Sequence, residues 1–197
     1  MRFSPKQRRV LNWWLRDDWE AIICDGAVRS GKTFSMGLSF ILWAQAKFDG
    51  QQFGLCGKTI VSLRRNLLAD LLPYLRGLGM LCQEKRGENM LIVRFSGHEN
   101  RFLLFGGRDE SSAALIQGST LAGVLLDETA LMPRSFVEQA IARCSVRGSR
   151  LWFNCNPDGS NKICGNPFTK NHIQYADPDK HGFLPEPYAK TPSVPGV

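Results

Sequence analysis

Apolar residues arrive along the first 155 positions in two rhythms. Ala21-Ile22-Ile23-Cys24, Phe53–Cys56, Leu121–Leu126 and Leu151-Trp152-Phe153 are short runs, apolar throughout. That pattern suits strands covered on both faces of a parallel sheet. Between them, longer segments repeat every three to four residues. Residues 4–20 predict an opening helix, capped by Ser4, with Pro5 in its first turn and Val10, Trp13 and Trp14 on its apolar side. Residues 32–48 predict a long helix carrying Phe34, Leu38, Ile41, Leu42 and Trp43. Thr59–Leu78 predicts another, with Leu67, Leu68, Leu71 and Leu75 on one side and Arg64-Arg65 on another. Pro73 within it is expected to kink or break it. Pro133–Cys144 reads as a helix with Phe136, Val137, Ala140 and Ile141 inward, and Asp109–Ile116 as a short one. Met90–Phe95 and Arg101–Phe105 are β-rich runs joined by Ser96-Gly97-His98-Glu99-Asn100, a hairpin pattern.

Strands alternating with helices in this way imply an α/β fold, a mostly parallel sheet with helices on both faces. The pattern stops at Pro157. Seven of the ten prolines lie from there to the end, and no apolar run follows. The expected organisation is one domain over residues 1–158 and a proline-rich, weakly ordered tail over 159–197. No run approaches the roughly 18 apolar residues of a membrane span, so a membrane partner is not expected.

Charge adds a direction. The chain of 197 residues carries a formal +7, with 15 basic and 9 acidic side chains in residues 1–100 against 10 and 9 in the remainder. Such a surplus either attracts a polyanion, nucleic acid or nucleotide, or is a solvated basic surface. Lys6, Arg8, Arg9, Arg64 and Arg65 supply much of it. The six cysteines form no C-x-x-C pair and no histidine stands near a cysteine pair, which argues against zinc and for a reducing compartment.

The chemistry is carried by two segments. Gly26-Ala27-Val28-Arg29-Ser30-Gly31-Lys32-Thr33 matches G-x-x-x-x-G-K-[ST] between an apolar strand and a long helix, the context a P-loop requires. Its backbone N–H groups and the following helix N-terminus would cradle phosphates. Lys32 would reach the β and γ phosphates of ATP, and the Thr33 hydroxyl would bind Mg2+. Leu121–Leu126 then leads into Asp127-Glu128, a Walker B pattern. Asp127 would hold the magnesium shell, and Glu128 would orient or polarise the attacking water. The paired acids favour an ATP-hydrolysing motor or helicase-like class, of the additional-strand catalytic-glutamate type, over small-molecule kinases. In that class another strand separates the two Walker strands, with Phe53–Cys56 and the later runs as candidates. Arg29 would act as an arginine finger in cis or pair with a nearby carboxylate. Asn154, at the end of the next strand, would sense the γ-phosphate or serve as a plain turn residue.

The runs DGAVRSGKT, FGLCGKT, IQGSTLAGVLLDETALMP and RLWFNCNPDG together resemble the large subunit of phage terminase, of the PBSX-like type, over residues 3–159. The resemblance implies an ATPase motor that drives double-stranded viral DNA into a procapsid. Its implied partners are that DNA, the terminase small subunit and the portal protein, with self-association into a ring on the portal. The implied location is the host cytoplasm, transiently docked on the procapsid. It also places Asn154 in the segment that couples hydrolysis to DNA movement. Relatives continue into an RNase H-like nuclease, whereas the sequence after Gly159 matches nothing in the family. The expectation is therefore a chain truncated before the nuclease, with no endonuclease activity. Another nucleic-acid-dependent P-loop ATPase of helicase type, or an inactive prophage remnant, remains the alternative.

Overall fold

In the computed structural model, which describes residues 2–16, 19–25, 31–155 and 174–176, the apolar runs become neighbouring strands. Ala21–Asp25 is β1, Gln52–Gly57 β2, Leu81–Lys85 β3, Met90–Phe95 β4, His98–Gly106 β5, Gly123–Leu126 β6, Arg150–Cys155 β7 and Gln174–Ala176 β8. They form one sheet in the order β3-β4-β5-β2-β6-β7-β1-β8. From β5 to β8 every pairing is parallel. β3, β4 and β5 form an antiparallel meander at one edge.

The helices are α1 (Pro5–Asn12), α2 (Lys32–Lys47), α3 (Ile60–Leu63), α4 (Ala69–Gly77), α5 (Ala113–Ile116) and α6 (Arg134–Ala142). Alternate residues of each strand point to opposite faces, and here both faces are covered. Ile22, Cys24, Leu125 and Trp152 join a layer with Phe40, Trp43, Leu67 and Leu71 from α2 and the α3–α4 segment. Their chain neighbours Ile23, Val124, Leu126 and Phe153 join Ile116, Phe136, Val137 and Ala140 from α5 and α6. This is why the runs are apolar without alternation. The first layer is aromatic: the rings of Trp13, Phe40 and Trp43 lie 4.7, 4.9 and 4.8 Å from the Trp152 ring, centroid to centroid. Gly123 makes room for it, since a β-carbon there would sit 2.7 Å from the Trp43 ring.

Four expectations change. The opening helix stops at Asn12 and tightens to a 3-10 turn over Trp13–Leu15, because buried Trp13 turns in against Trp152. Pro73 does not break its helix. The irregularity sits upstream, as a π turn over Arg64–Leu68 in which the Ala69 N–H reaches the Arg64 carbonyl. Burial of Leu71, Leu72 and Leu75 holds the helix through the proline. The hairpin turn is two residues long, Ser96 and Gly97, both at positive φ, the conformation that suits the twist of a tight hairpin. Of the candidates for the strand between the two Walker strands, Phe53–Cys56, as part of β2, lies beyond β6, whereas one of the later runs, Leu151-Trp152-Phe153 in β7, stands between β6 and β1. Strand β3 was not legible, because Leu81–Lys85 is mostly polar and half-exposed at the sheet edge.

Candidate nucleotide site

Parallel strands end in register, so the residues after β6 and at the end of β7 are brought to one edge. The N-terminus of α2 meets them there. Gly31 caps α2 with φ +77°, in the left-handed region that glycine enters without strain. A β-carbon on it would sit 2.8 Å from Gln7 Nε2 of α1. Lys32 and Thr33 open the helix. Gly26, Ala27, Val28, Arg29 and Ser30 lie outside the described residues.

Three of the expected residues come together. Thr33 Oγ1 donates to Asp127 Oδ1 at 3.2 Å. Asn154 Nδ2 donates to Asp127 Oδ1 at 2.5 Å and to Thr33 Oγ1 at 2.9 Å. Residues 94 and 121 positions apart therefore share one hydrogen-bonded cluster. Asn154 belongs to β7 and is buried, so it is no turn residue. Its Oδ1 is buried and has no hydrogen-bond partner among the described residues, a costly state for an amide oxygen and one that suits a donor arriving with a ligand.

Asp127 is 4% exposed. Burial pushes its carboxyl above the ordinary range; the bonds from Asn154 and Thr33 and the Lys32 charge pull it back part of the way. Glu128 is half-buried. Burial, then the adjacent Asp127 charge, raises its carboxyl, and the Arg65 guanidinium opposes the rise. Glu128 has φ +57° and ψ +47°. Such a conformation costs a residue with a side chain on the order of 1–3 kcal/mol and persists only where the surroundings enforce it. Thr129, fully buried, supplies part of that enforcement: its hydroxyl lies 3.0 Å from the Leu126 carbonyl and 3.2 Å from that of Asn154, and its single proton serves either.

Sequence reasoning missed Gln7, Lys58 and Thr129. Thr129 follows the acidic pair directly and Lys58 is the next-to-last residue of FGLCGKT, so both lay inside the recognisable motifs; Gln7 had no signal, because its approach to Gly31 is purely tertiary. Of the basic candidates for a polyanion, Arg64 is engaged within the chain, donating to Glu84 Oε1 at 2.7 Å and Asn89 Oδ1 at 3.1 Å.

The overall fold recurs in solved structures. The large terminase of a thermophilic bacteriophage is 45% identical with a TM-score of 0.84; the match covers 90% of this chain and 46% of that one. This chain belongs to the phage large terminase family. The same thermophilic-phage terminase in complex with ADP matches at 44% identity and TM-score 0.83, over 89% of this chain and 45% of that one. Its complex with ATP-gamma-S matches at 43% and 0.81, over 89% and 44%. The large terminase ATPase domain of Thermus phage P74-26, 20% identical with a TM-score of 0.54 over 72% of this chain and 61% of that one, shares the fold. The chain thus spans a little under half the length of the thermophilic-phage terminase. No family model and no curated protein sequence matches it. Among the described residues no helix is long and apolar enough to cross a membrane.

Proposed function

We propose that this chain is the ATP-hydrolysing motor domain of a phage large terminase and acts on double-stranded viral DNA as it enters a procapsid. One observation carries the reading: Thr33, Asp127 and Asn154 share hydrogen bonds at the sheet edge of a chain whose 45%-identical relative has been captured with ADP and with ATP-gamma-S.

In this reading the segment Gly26–Thr33 wraps the phosphates with backbone N–H groups, and Lys32 adds a point charge toward the β and γ phosphates. Arg29 adds positive charge to the γ-phosphate in cis. The Thr33 hydroxyl and Asp127 carboxylate are hard oxygens that suit Mg2+. Among the described residues no three His, Cys, Asp or Glu side chains gather as a metal site, and a small protein share is what Mg2+ takes when substrate phosphates complete its shell. Mg2+ held there would supply neutralisation of the phosphate charge. Glu128 orients the attacking water and accepts its proton, a role that suits a carboxylate whose hold on a proton is strengthened by burial and the Asp127 charge. Asn154 holds Asp127 and Thr33 in place, with its Oδ1 left for a donor on the nucleotide side. We assign the functional unit to residues 1–158 and a proline-rich tail to residues 159–197, although β8 within that tail pairs with β1 in the same sheet.

Double-stranded DNA, the small subunit, the portal and further copies in a ring are the partners the family implies, and the host cytoplasm is the place. Likeness to a terminase favours packaging over a helicase reading. The test is ATP hydrolysis by the purified chain with Mg2+, with and without procapsids and DNA. Stimulation by procapsids supports the packaging motor. ATP affinity unchanged in Lys32→Ala removes the P-loop assignment. A proteolytic core ending near residue 158 with lowered ATP affinity overturns the division of the chain.

A further inference from the structure

Lys58 is the first residue after β2, and β2 lies between β5 and β6. The chain end of β2 is therefore flanked by the loops that leave both neighbours. Backbone bonds close the two seams: the Asp127 N–H donates to the Cys56 carbonyl and the Gly107 N–H to the Gly57 carbonyl, each at 2.8 Å. Past that point the ladders end, and the Lys58 ammonium takes over. Its Nζ donates to the Leu131 carbonyl at 2.8 Å and to the Arg108 carbonyl at 3.0 Å. Neither contact is an ion pair or a bond along one's own helix. They join the end of β2 to loops 73 and 50 residues further along the chain.

The Leu131 carbonyl ends the 3-10 turn Thr129–Leu131 that follows Glu128. Within it the Leu131 N–H donates to the Glu128 carbonyl at 2.9 Å and the Met132 N–H to the Thr129 carbonyl at 3.1 Å. The turn has two outside anchors. The Thr129 hydroxyl ties its start to the end of β6 or of β7. Lys58 ties its end to β2. Between them Glu128 is kept in a left-handed conformation that a free loop would leave.

We propose that Lys58 is a positioning residue for hydrolysis, acting through the Leu131 carbonyl to hold the turn that presents Glu128. The proposal rests on the reading of Glu128 as the water-orienting residue. A lysine is suited to the task because one tetrahedral ammonium serves two carbonyls on separate loops. Loss of this anchor frees the turn without touching Lys32, Thr33 or Asp127, so nucleotide binding survives while the carboxylate is misplaced. A displacement on the order of 1 Å at such a group costs about 10²-fold in rate.

The experiment compares the full chain with its Lys58→Met, Lys58→Arg, Glu128→Gln and Lys58→Met/Glu128→Gln variants. Two readouts are taken: steady-state ATP hydrolysis with Mg2+, and amide hydrogen exchange without nucleotide. Lys58→Met is expected to lower kcat by about 10- to 100-fold, with KM and ATP-gamma-S affinity within about twofold. Lys58→Arg, which keeps several donors, recovers part of the loss. Lys58→Met adds nothing further in the Glu128→Gln background. The Leu131 and Met132 amides exchange faster in Lys58→Met while those of β6 and α6 do not. Parental kcat in Lys58→Met beside a slowed Glu128→Gln overturns the proposal. So do equal loss of kcat and nucleotide affinity, a multiplicative loss in the double variant, or unchanged Leu131 and Met132 exchange. Parental hydrolysis by Glu128→Gln instead overturns the reading of Glu128. Should Lys58→Met not fold, Lys58→Gln, whose shorter amide reaches one loop only, takes its place under the same criteria.

Discussion

The end of β6–β7 and the antiparallel meander β3–β5 both carry charge, and they handle it in opposite ways. At the end of β6 the Asp127 carboxylate is sunk to 4% exposure among an amide, a hydroxyl and a lysine charge. On the meander, Arg94 pairs with Glu99 at 2.6 Å, Arg101 lies 3.9 Å from the same Glu99, and Lys85 pairs with Glu88 at 3.2 Å, all partly exposed. The first arrangement is costly to the apo fold, since burial without full compensation raises the free energy of the ionised acid. The second costs almost nothing and yields little, because water screens it. The first is the arrangement expected where a ligand restores the balance. The meander shows what the same residue types do when nothing but solubility and sheet-edge protection is asked of them.

On this contrast, substitutions at the two places differ in size and in kind. The largest effect belongs to Glu128→Gln: hydrolysis falls by about 10²- to 10⁴-fold, the usual worth of a positioned acid–base group, while ATP-gamma-S affinity measured by calorimetry stays near parental. Next comes Lys32→Ala, which weakens ATP binding by about 10- to 100-fold, the worth of a hydrogen bond to a charged group, with the melting temperature little changed. Asn154→Ala sharpens the comparison on the protein itself. It strips a 2.5 Å donor from a buried carboxylate and is expected to destabilise the apo chain by about 2 kcal/mol in urea unfolding. An effect no larger than that of a surface pair would erase the distinction drawn here.

The pH dependence follows from the direction of the Asp127 shift. Its carboxyl is raised in the fold above the ordinary 3.8, so the folded state holds the proton more tightly than the unfolded one. Stability from this group is present below that value and is lost as pH rises through the folded-state value. Asp127→Asn should therefore melt higher than the parent above this window and lose the advantage as pH falls toward 3.8, in thermal melts without nucleotide. The opposite trend would mean that Asn154, Thr33 and Lys32 outweigh burial. The smallest effect is Arg94→Ala, under about 1 kcal/mol and shrinking with salt.

Much of this was legible before folding was considered. The P-loop and the Asp127-Glu128 pair announce themselves because a phosphate cradle needs glycines at fixed spacing and a strand must deliver its acid at its end. The uniform apolar runs betrayed a sheet covered on both sides. Other features left weak traces. Strand β3 was invisible since an edge strand faces water and carries polar residues. Pro73 read as a break, yet Leu71, Leu72 and Leu75 are packed tightly enough to carry the helix through it.

Local pattern thus pointed to most of the strands, to a candidate phosphate turn and to the candidate acids, because those signals depend on neighbours within a few residues. Strand order did not follow from it. That β7 rather than β2 separates the Walker strands, and so brings Asn154 against Asp127 and Thr33, is decided by which strands pair across the sheet. The same is true of the grip of Lys58 on the turn after Glu128. Hydrogen bonds between residues 73 and 121 positions apart exist only once the sheet has assembled, since pairing free energy, and not the order of residues, chooses which ends share an edge.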